Sequence, residues 1–441
     1  YKERYLLEAN VRYDGTSRIA KANRWGWFPS FSAGWRISEE SFIKDTPAMQ
    51  WLTNLKIRGS YGLLGNQNIG NYPYQSLLNY TGAYPFDNST LSPGVAQTSY
   101  ANNDIKWEST SVTDIGVDIT LFKRISIVYD WYKKHTFDIL RSAQVTGALG
   151  LNAPTINSGE MDNYGHELSV QYNHSINKGR LEGLSYGAGF YVDISRNKLV
   201  NFGAREIDGY NLREDGLPYN SFYMLEMIGI FQNQAEIDNS PKQFNDPVRP
   251  GDFKYRDVNG DGKIDENDRK VLGTGIPKTI IGLNNSFTYK DFDFSFFFEA
   301  SLGAKMLNLT RIYLEDNNRL SDAADRWTPA HASNSVPRNG YQRAAKLQYG
   351  SYVNSRFVED ADFVKLRNVE LGYTFIGSKW NMKTLKTMRM FVGGQNLLTF
   401  TKYQGFDPDI STNGSSAIAQ GLDLNSYPAY RTINFGVKLT F

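Results

Sequence analysis

Read alternately, the segment from Ile433 to Phe441 splits into an apolar list, Ile433, Phe435, Val437, Leu439 and Phe441, and a polar one, Asn434, Gly436, Lys438 and Thr440. Successive side chains of a strand point to opposite faces, so this segment predicts a strand with one wholly apolar face. The same period of two recurs along the chain. Tyr5, Leu7, Ala9, Val11 and Tyr13 alternate with Arg4, Glu8, Asn10, Arg12 and Asp14, and Leu55, Ile57 and Tyr61 with Lys56, Arg58 and Ser60. Leu184, Tyr186, Ala188, Phe190, Val192 and Ile194 oppose Ser185, Gly187, Gly189, Asp193 and Ser195. Phe292, Phe294, Phe296 and Phe298 oppose Asp293, Ser295 and Glu299, and only Phe297 breaks that order.

These runs predict about twelve crossing strands, at 4–13, 27–37, 55–63, 107–121, 125–138, 165–175, 184–197, 279–289, 292–304, 362–375, 386–402 and 430–441. Short connections at 122–124, 177–183, 290–291 and 376–385 alternate with long ones at 140–160, 201–278, 305–350 and 403–427. A transmembrane antiparallel β-barrel has this asymmetry, with short periplasmic turns and long extracellular loops. On that reading 221–231 stays inside an outer loop, and the last strand runs down to leave Phe441 on the periplasmic side. A lysine on the lipid face would cost roughly 2–4 kcal/mol at mid-bilayer. Phe435, Val437, Leu439 and Phe441 are therefore the candidate membrane-insertion signal. The predicted fold is all-β, one barrel region filling 1–441, with 201–278 as its large extracellular loop. An open edge at membrane depth would leave N–H and C=O groups unpaired in hydrocarbon, so further strands are expected from elsewhere.

Composition restricts the reading without changing it. At 441 residues the chain exceeds the usual domain of about 100–200, yet no Pro- or Ser-rich linker divides it. An aromatic fraction of 14%, with 28 Tyr and 26 Phe, suits strands that need interfacial girdles. Mean hydropathy is negative, and no run approaches the roughly 18 apolar residues of a spanning helix. A net charge of +2 without any Lys/Arg-rich run gives no case for nucleic acid. The absence of cysteine excludes a disulfide framework and a thiol nucleophile. Tyr1 opens no charged and apolar leader, so a piece of a longer protein is expected.

Several segments, in order, resemble the SusC/RagA-like TonB-dependent transporters of Bacteroidetes outer membranes. They are Asp14 to Ser38 (DGTSRIAKANRWGWFPSFSAGWRIS), Leu55 to Asn66 (LKIRGSYGLLGN), Phe363 to Phe375 (FVKLRNVELGYTF), Gly394 to Asp409 (GQNLLTFTKYQGFDPD) and the closing strand. The resemblance implies the C-terminal part of a 22-stranded barrel, with a plug and the first strands preceding Tyr1. It also implies import of glycans or peptides, a SusD-like surface lipoprotein as partner, and drive from a TonB–ExbB–ExbD complex through the missing N-terminal region.

Two sets of loop residues carry candidate chemistry. In Asp257 to Asp268 (DVNGDGKIDEND), oxygens fall at the positions of a calcium loop. Asp257, Asn259, Asp261, the Lys263 carbonyl, Asp265 and Asp268 are the candidate ligands, with Gly262 at the sharp turn. Asp268 is shorter than the usual Glu, which weakens bidentate closure, and Pro250 and Gly251 argue against an entering helix. A loop rich in Asx turns, without metal, is the competing reading. Among the loop aromatics, Tyr72, Tyr84, Tyr210, Tyr219, Trp327 and Tyr341 are candidate ligand contacts, because aromatic faces stack on sugar rings. Girdle placement or loop packing would use the same residues.

An enzyme is not expected. His135, His166, His174 and His331 lack the i, i+4 spacing of a helical zinc site, and no G-x-S-x-G elbow or P-loop occurs. Two alternatives to a transporter remain: a surface glycan-binding all-β module, separable by its independence of detergent, and an outer-membrane β-barrel hydrolase.

Overall fold

The computed structural model describes residues 1–80, 82–86, 90–243, 247–316, 319–339, 353–380, 384–410, 412 and 420–441. Twelve long strands dominate it. Numbered along the chain they are β1 (Tyr5–Gly15), β2 (Trp25–Arg36), β3 (Leu52–Asn66), β4 (Glu108–Leu121), β5 (Ile125–Phe137) and β6 (Met161–Ser175), then β7 (Leu184–Leu199), β8 (Thr279–Tyr289), β9 (Phe292–Leu302), β10 (Phe363–Ile376), β11 (Thr387–Thr401) and β12 (Thr432–Thr440). They form one sheet whose order is the chain order. Each expected crossing segment is present. Several strands run past their alternating stretch, as β3 does to Asn66 and β6 does from Met161. The period-two signal fades where both faces meet water, although the backbone ladder continues.

No helix among the described residues is long and apolar enough to cross a membrane. The segment 221–231 does not join the long sheet. Ser221–Leu225 pairs with Arg269–Thr274, and Met227–Ile230 pairs with Phe253–Tyr255, both within the connection after β7.

Two compact units divide the chain. The first comprises Tyr1–Leu168, Arg196–Ala204 and Glu214–Leu217; the second comprises Ser169–Ser195, Arg205–Arg213 and Pro218–Phe441. In the first, β1 to β5 pair antiparallel in sequence. Their apolar face stays open: Leu7 (84% exposed), Val11, Ile57, Tyr61, Ile115 and Tyr129 are all exposed. In the second, β7 to β12 do the same, with Phe190, Leu283, Leu371, Val392, Phe435 and Val437 exposed. A polar side chain on this apolar face is satisfied locally, since the Tyr186 hydroxyl donates to Asn285 Oδ1 at 2.7 Å.

The opposite face is charged, and glycines make room for the charges. Arg58 of β3, Gly116 of β4 and Asp130 of β5 lie in one register row. A Cβ on Gly116 would meet the Arg58 guanidinium carbon at 2.6 Å. The arginine therefore lies across the glycine to reach Asp130 at 2.7 Å, and it also bonds Asp114 and Asp118. Arg389 of β11 likewise passes the empty side of Gly372 to reach Asp293 and Glu370.

If the exposed apolar face meets lipid, Leu371→Lys should lower the stability of the full-length protein in vesicles by about 2–4 kcal/mol. Ser286→Lys, on the opposite face, should cost far less. Equal unfolding midpoints for the two variants in denaturant titrations would contradict the assignment.

Candidate functional site

The buried core of the second unit lies in its connections. The described residues of 205–213, 218–278, 303–362 and 402–431 supply short strands and a helix, Leu309–Asp316, that close around Phe222, Met224, Leu225, Ile230, Phe253, Ile264, Leu307, Ile312, Val353 and Phe357. Small sheets tie the connections together. Lys305–Asn308 pairs with Val358–Asp360 on one side and Leu422–Asp423 on the other. These loops have a hydrophobic interior of their own, as a small domain does.

Buried ion pairs clamp this module to the strands. Lys365 of β10, 1% exposed, donates to Asp407 at 2.6 Å and to Asp409 at 3.2 Å. Beside it, Arg367 is bidentate on Glu299 and also reaches Asp409. Within the loops, Glu315 accepts from Arg311 and Arg356, and Arg338 pairs with Asp252 at 2.6 Å. Burial raises the Asp252 carboxyl above the ordinary range, partly offset by its bonds from the Arg249 N–H and Arg338. The Tyr403 hydroxyl donates to buried Asp423 at 2.6 Å. Burial first, and that carboxylate second, push the Tyr403 phenol far above the usual tyrosine value.

The loop 257–268 belongs to this module. Strands flank it, Phe253–Tyr255 before and Arg269–Thr274 after, with one short 3-10 turn between. Gly260 and Gly262 both take left-handed φ values, +75° and +79°. Asp257 accepts from the N–H groups of Gly260 and Gly262, Asn259 from Asp261, Asp261 from Lys263, and Asp265 from Asn267. Asp268 is fully buried and accepts from Val258 and Asp265. The side-chain oxygens of the five acidic and amide residues thus bond the loop's own backbone. Among the described residues no group of three His, Asp or Glu side chains is placed to hold a metal. Each bonded oxygen keeps a second lone pair except Asp268 Oδ1, which accepts from both Val258 and Asn259.

The candidate ligand aromatics fall in different settings. Tyr72 and Tyr84 are exposed in the first unit, on the connection between β3 and β4, beside Tyr74 and Phe86 respectively. In the second unit, Tyr210 and Trp327 pack against the loop core, and Trp327 Nε1 donates to Gln232 at 3.1 Å. Tyr219 lies under the Arg213 guanidinium. Tyr341 lies outside the described residues. Phe435, Val437, Leu439 and Phe441 all sit exposed on or just after β12. The reading of single residues missed the clamp at Lys365 altogether. Its signal is a lysine in an otherwise apolar stretch, followed by two aspartates in the G-F-D-P-D run.

Twelve antiparallel strands with one apolar and one charged face, short turns at one end and folded loops at the other, define an outer-membrane barrel protein. A family profile described as "TonB dependent receptor-like, beta-barrel" matches residues 1–397, and the chain belongs to that family. It is 31% identical to TonB-dependent receptor P3 of Formosa agariphila, over all of this chain and 44% of the relative. It is 30% identical to TonB-dependent receptor SusC of Bacteroides thetaiotaomicron, over 99% of this chain and 42% of that one. The chain thus spans about half the length of the curated relatives it matches. Among solved structures, that of the RagAB peptide importer in the "closed-closed" state superposes with TM-score 0.81 at 25% identity, over all of this chain and 46% of the other. The relatives are receptors, not enzymes, and the polar face of the strands is the lumen wall.

Lys365→Met should leave Asp407 buried without its cation, at a cost of about 3–5 kcal/mol, while the double change Lys365→Met with Asp407→Leu should recover most of it. Cleavage by chymotrypsin at Phe406 in the folded full-length protein measures the release. Equal protection in the single variant and the wild type would show that the clamp holds nothing.

Proposed function

We propose that the protein imports large nutrients, glycans or peptides, across the outer membrane, with a SusD-like surface lipoprotein capping it. In this reading the present chain supplies barrel wall and outer loops. The remaining strands of a 22-stranded barrel, the plug and the contact with the TonB–ExbB–ExbD complex come from the rest of the polypeptide. The observation that carries the reading is the superposition of this whole chain on 46% of a peptide importer, together with outer loops that fold around a core of their own. A loop module built this way offers a firm rim for a capping protein, since its backbone is paired and its charges are clamped.

Deletion of the gene in its host should abolish growth on one class of glycan or peptide as sole carbon source and leave simple sugars untouched. Growth of the deletion strain on every substrate the parent uses would remove the import reading. Affinity purification of the intact protein from membranes should bring down a lipoprotein in equal amount.

A calcium ion in loop 257–268 is part of the proposal. Support comes from the oxygen spacing and from the two glycine turns that shape the backbone in advance. Binding would draw the free lone pairs of Asp257, Asp261 and Asp268 to one point and relieve the repulsion between acids that otherwise crowd one loop. Calcium should raise the melting temperature of the wild type over EDTA. Asp261→Ala should abolish that increment, and an increment unchanged by the substitution would place the ion elsewhere.

A further inference from the structure

Phe297, the one phenylalanine of β9 that breaks the alternation, faces the lumen, and the register shows its company. Gly189 stands opposite Asn284, Asn284 opposite Phe297, Phe297 opposite Asn368, and Asn368 opposite Gln395, in one row across β7 to β11. The Gln171 amide lies over Gly189, 3.1 Å from where a Cβ would stand. The side chains of Gln171, Asn284, Asn368 and Gln395 are exposed, and none of them makes a hydrogen bond among the described residues.

In the next row Tyr191 stands opposite Gly282, and Gly282 opposite Glu299. The Tyr191 ring fills the place where a side chain on Gly282 would be, so it lies flat on the wall. The Phe297 ring lies beside it, with centroids 6.3 Å apart and planes 23° from parallel. Of the charges nearby, Glu299 holds Arg367 through two bonds and Lys365 holds Asp407 and Asp409, while Asp193, the next residue of β7 on this face after Tyr191, accepts only from Ser195 among the described residues. Beside them this stretch of wall presents two aromatic faces and four neutral amides.

We propose that Tyr191, Phe297, Gln171, Asn284, Asn368 and Gln395 form a binding subsite for a neutral oligosaccharide. Sugar rings present flat C–H faces that pack on aromatic rings, and each carboxamide sets donors beside an acceptor, the complement of neighbouring hydroxyls. A peptide would bring charged termini and side chains, whereas the six side chains of the subsite are all uncharged. Gly282 is a positioning residue, because any side chain there tilts the Tyr191 platform. This inference rests on the import reading and names the class of cargo.

The test uses the full-length protein in its host, with uptake of fluorescently labelled linear neutral oligosaccharides measured beside uptake of a labelled tryptic peptide pool. Tyr191→Ala and Phe297→Ala should each raise the half-saturating oligosaccharide concentration by about tenfold, the loss of one aromatic contact. Tyr191→Phe should stay near wild type, and Gly282→Ala should behave like Tyr191→Ala at unchanged surface abundance. Wild-type uptake of oligosaccharide unaffected by these changes overturns the subsite and leaves import standing. Peptide uptake impaired in their place overturns the cargo class. A wild type that takes up neither pool more than the deletion strain overturns the import reading itself, and this inference with it.

Discussion

In hydrocarbon no water can pair a backbone N–H or C=O, so the ladder between neighbouring strands must carry every one of them. The rest of the structure depends on that constraint. It forces antiparallel neighbours in chain order, as seen from β1 to β12. It also fixes the register, and a fixed register turns the period of two into two continuous surfaces. A slip of one residue along β9 would send Asp293 and Glu299 into lipid and Phe292, Phe294, Phe296 and Phe298 into the lumen.

Register also decides how charge is stored on the lumen wall. Rows across strands bring side chains side by side, and a glycine in the row becomes a gap through which a long side chain reaches the next strand but one. Arg58 over Gly116 and Arg389 beside Gly372 use such gaps for ion pairs. Tyr191 over Gly282 and Phe391 over Gly436 use them to lay a ring against the backbone. Gly116, Gly282 and Gly436 stand opposite the long side chains they accommodate, Gly372 stands one row from Arg389, and all four lie within strands and not at turns.

The loops obey a different rule, because they meet water. They gain order by burying Phe222, Phe253 and Phe357 together and by ion pairs such as Arg311 with Glu315 and Lys365 with Asp407. Loop 257–268 shows the same economy on a small scale, with each aspartate turned to an N–H of its own loop. A rim ordered by its own core presents one shape to whatever docks on it.

The strands were legible in the sequence because alternation is local: each residue of Ile433 to Phe441 declares its face through its own polarity, and the resemblance of Asp14 to Ser38 and Gly394 to Asp409 pointed to the family. The acidic spacing of 257–268 was equally plain, since every oxygen in it lies within one turn of chain. What tertiary structure alone decided were the partners across strands. Nothing in the sequence near Phe297 says that Tyr191 lies beside it, and nothing near Lys365 says that Asp407 meets it. Those pairings come from register and from loops folding back over distant strands. Local polarity chose the face on which each side chain stands, and only the assembled ladder chose its neighbours there.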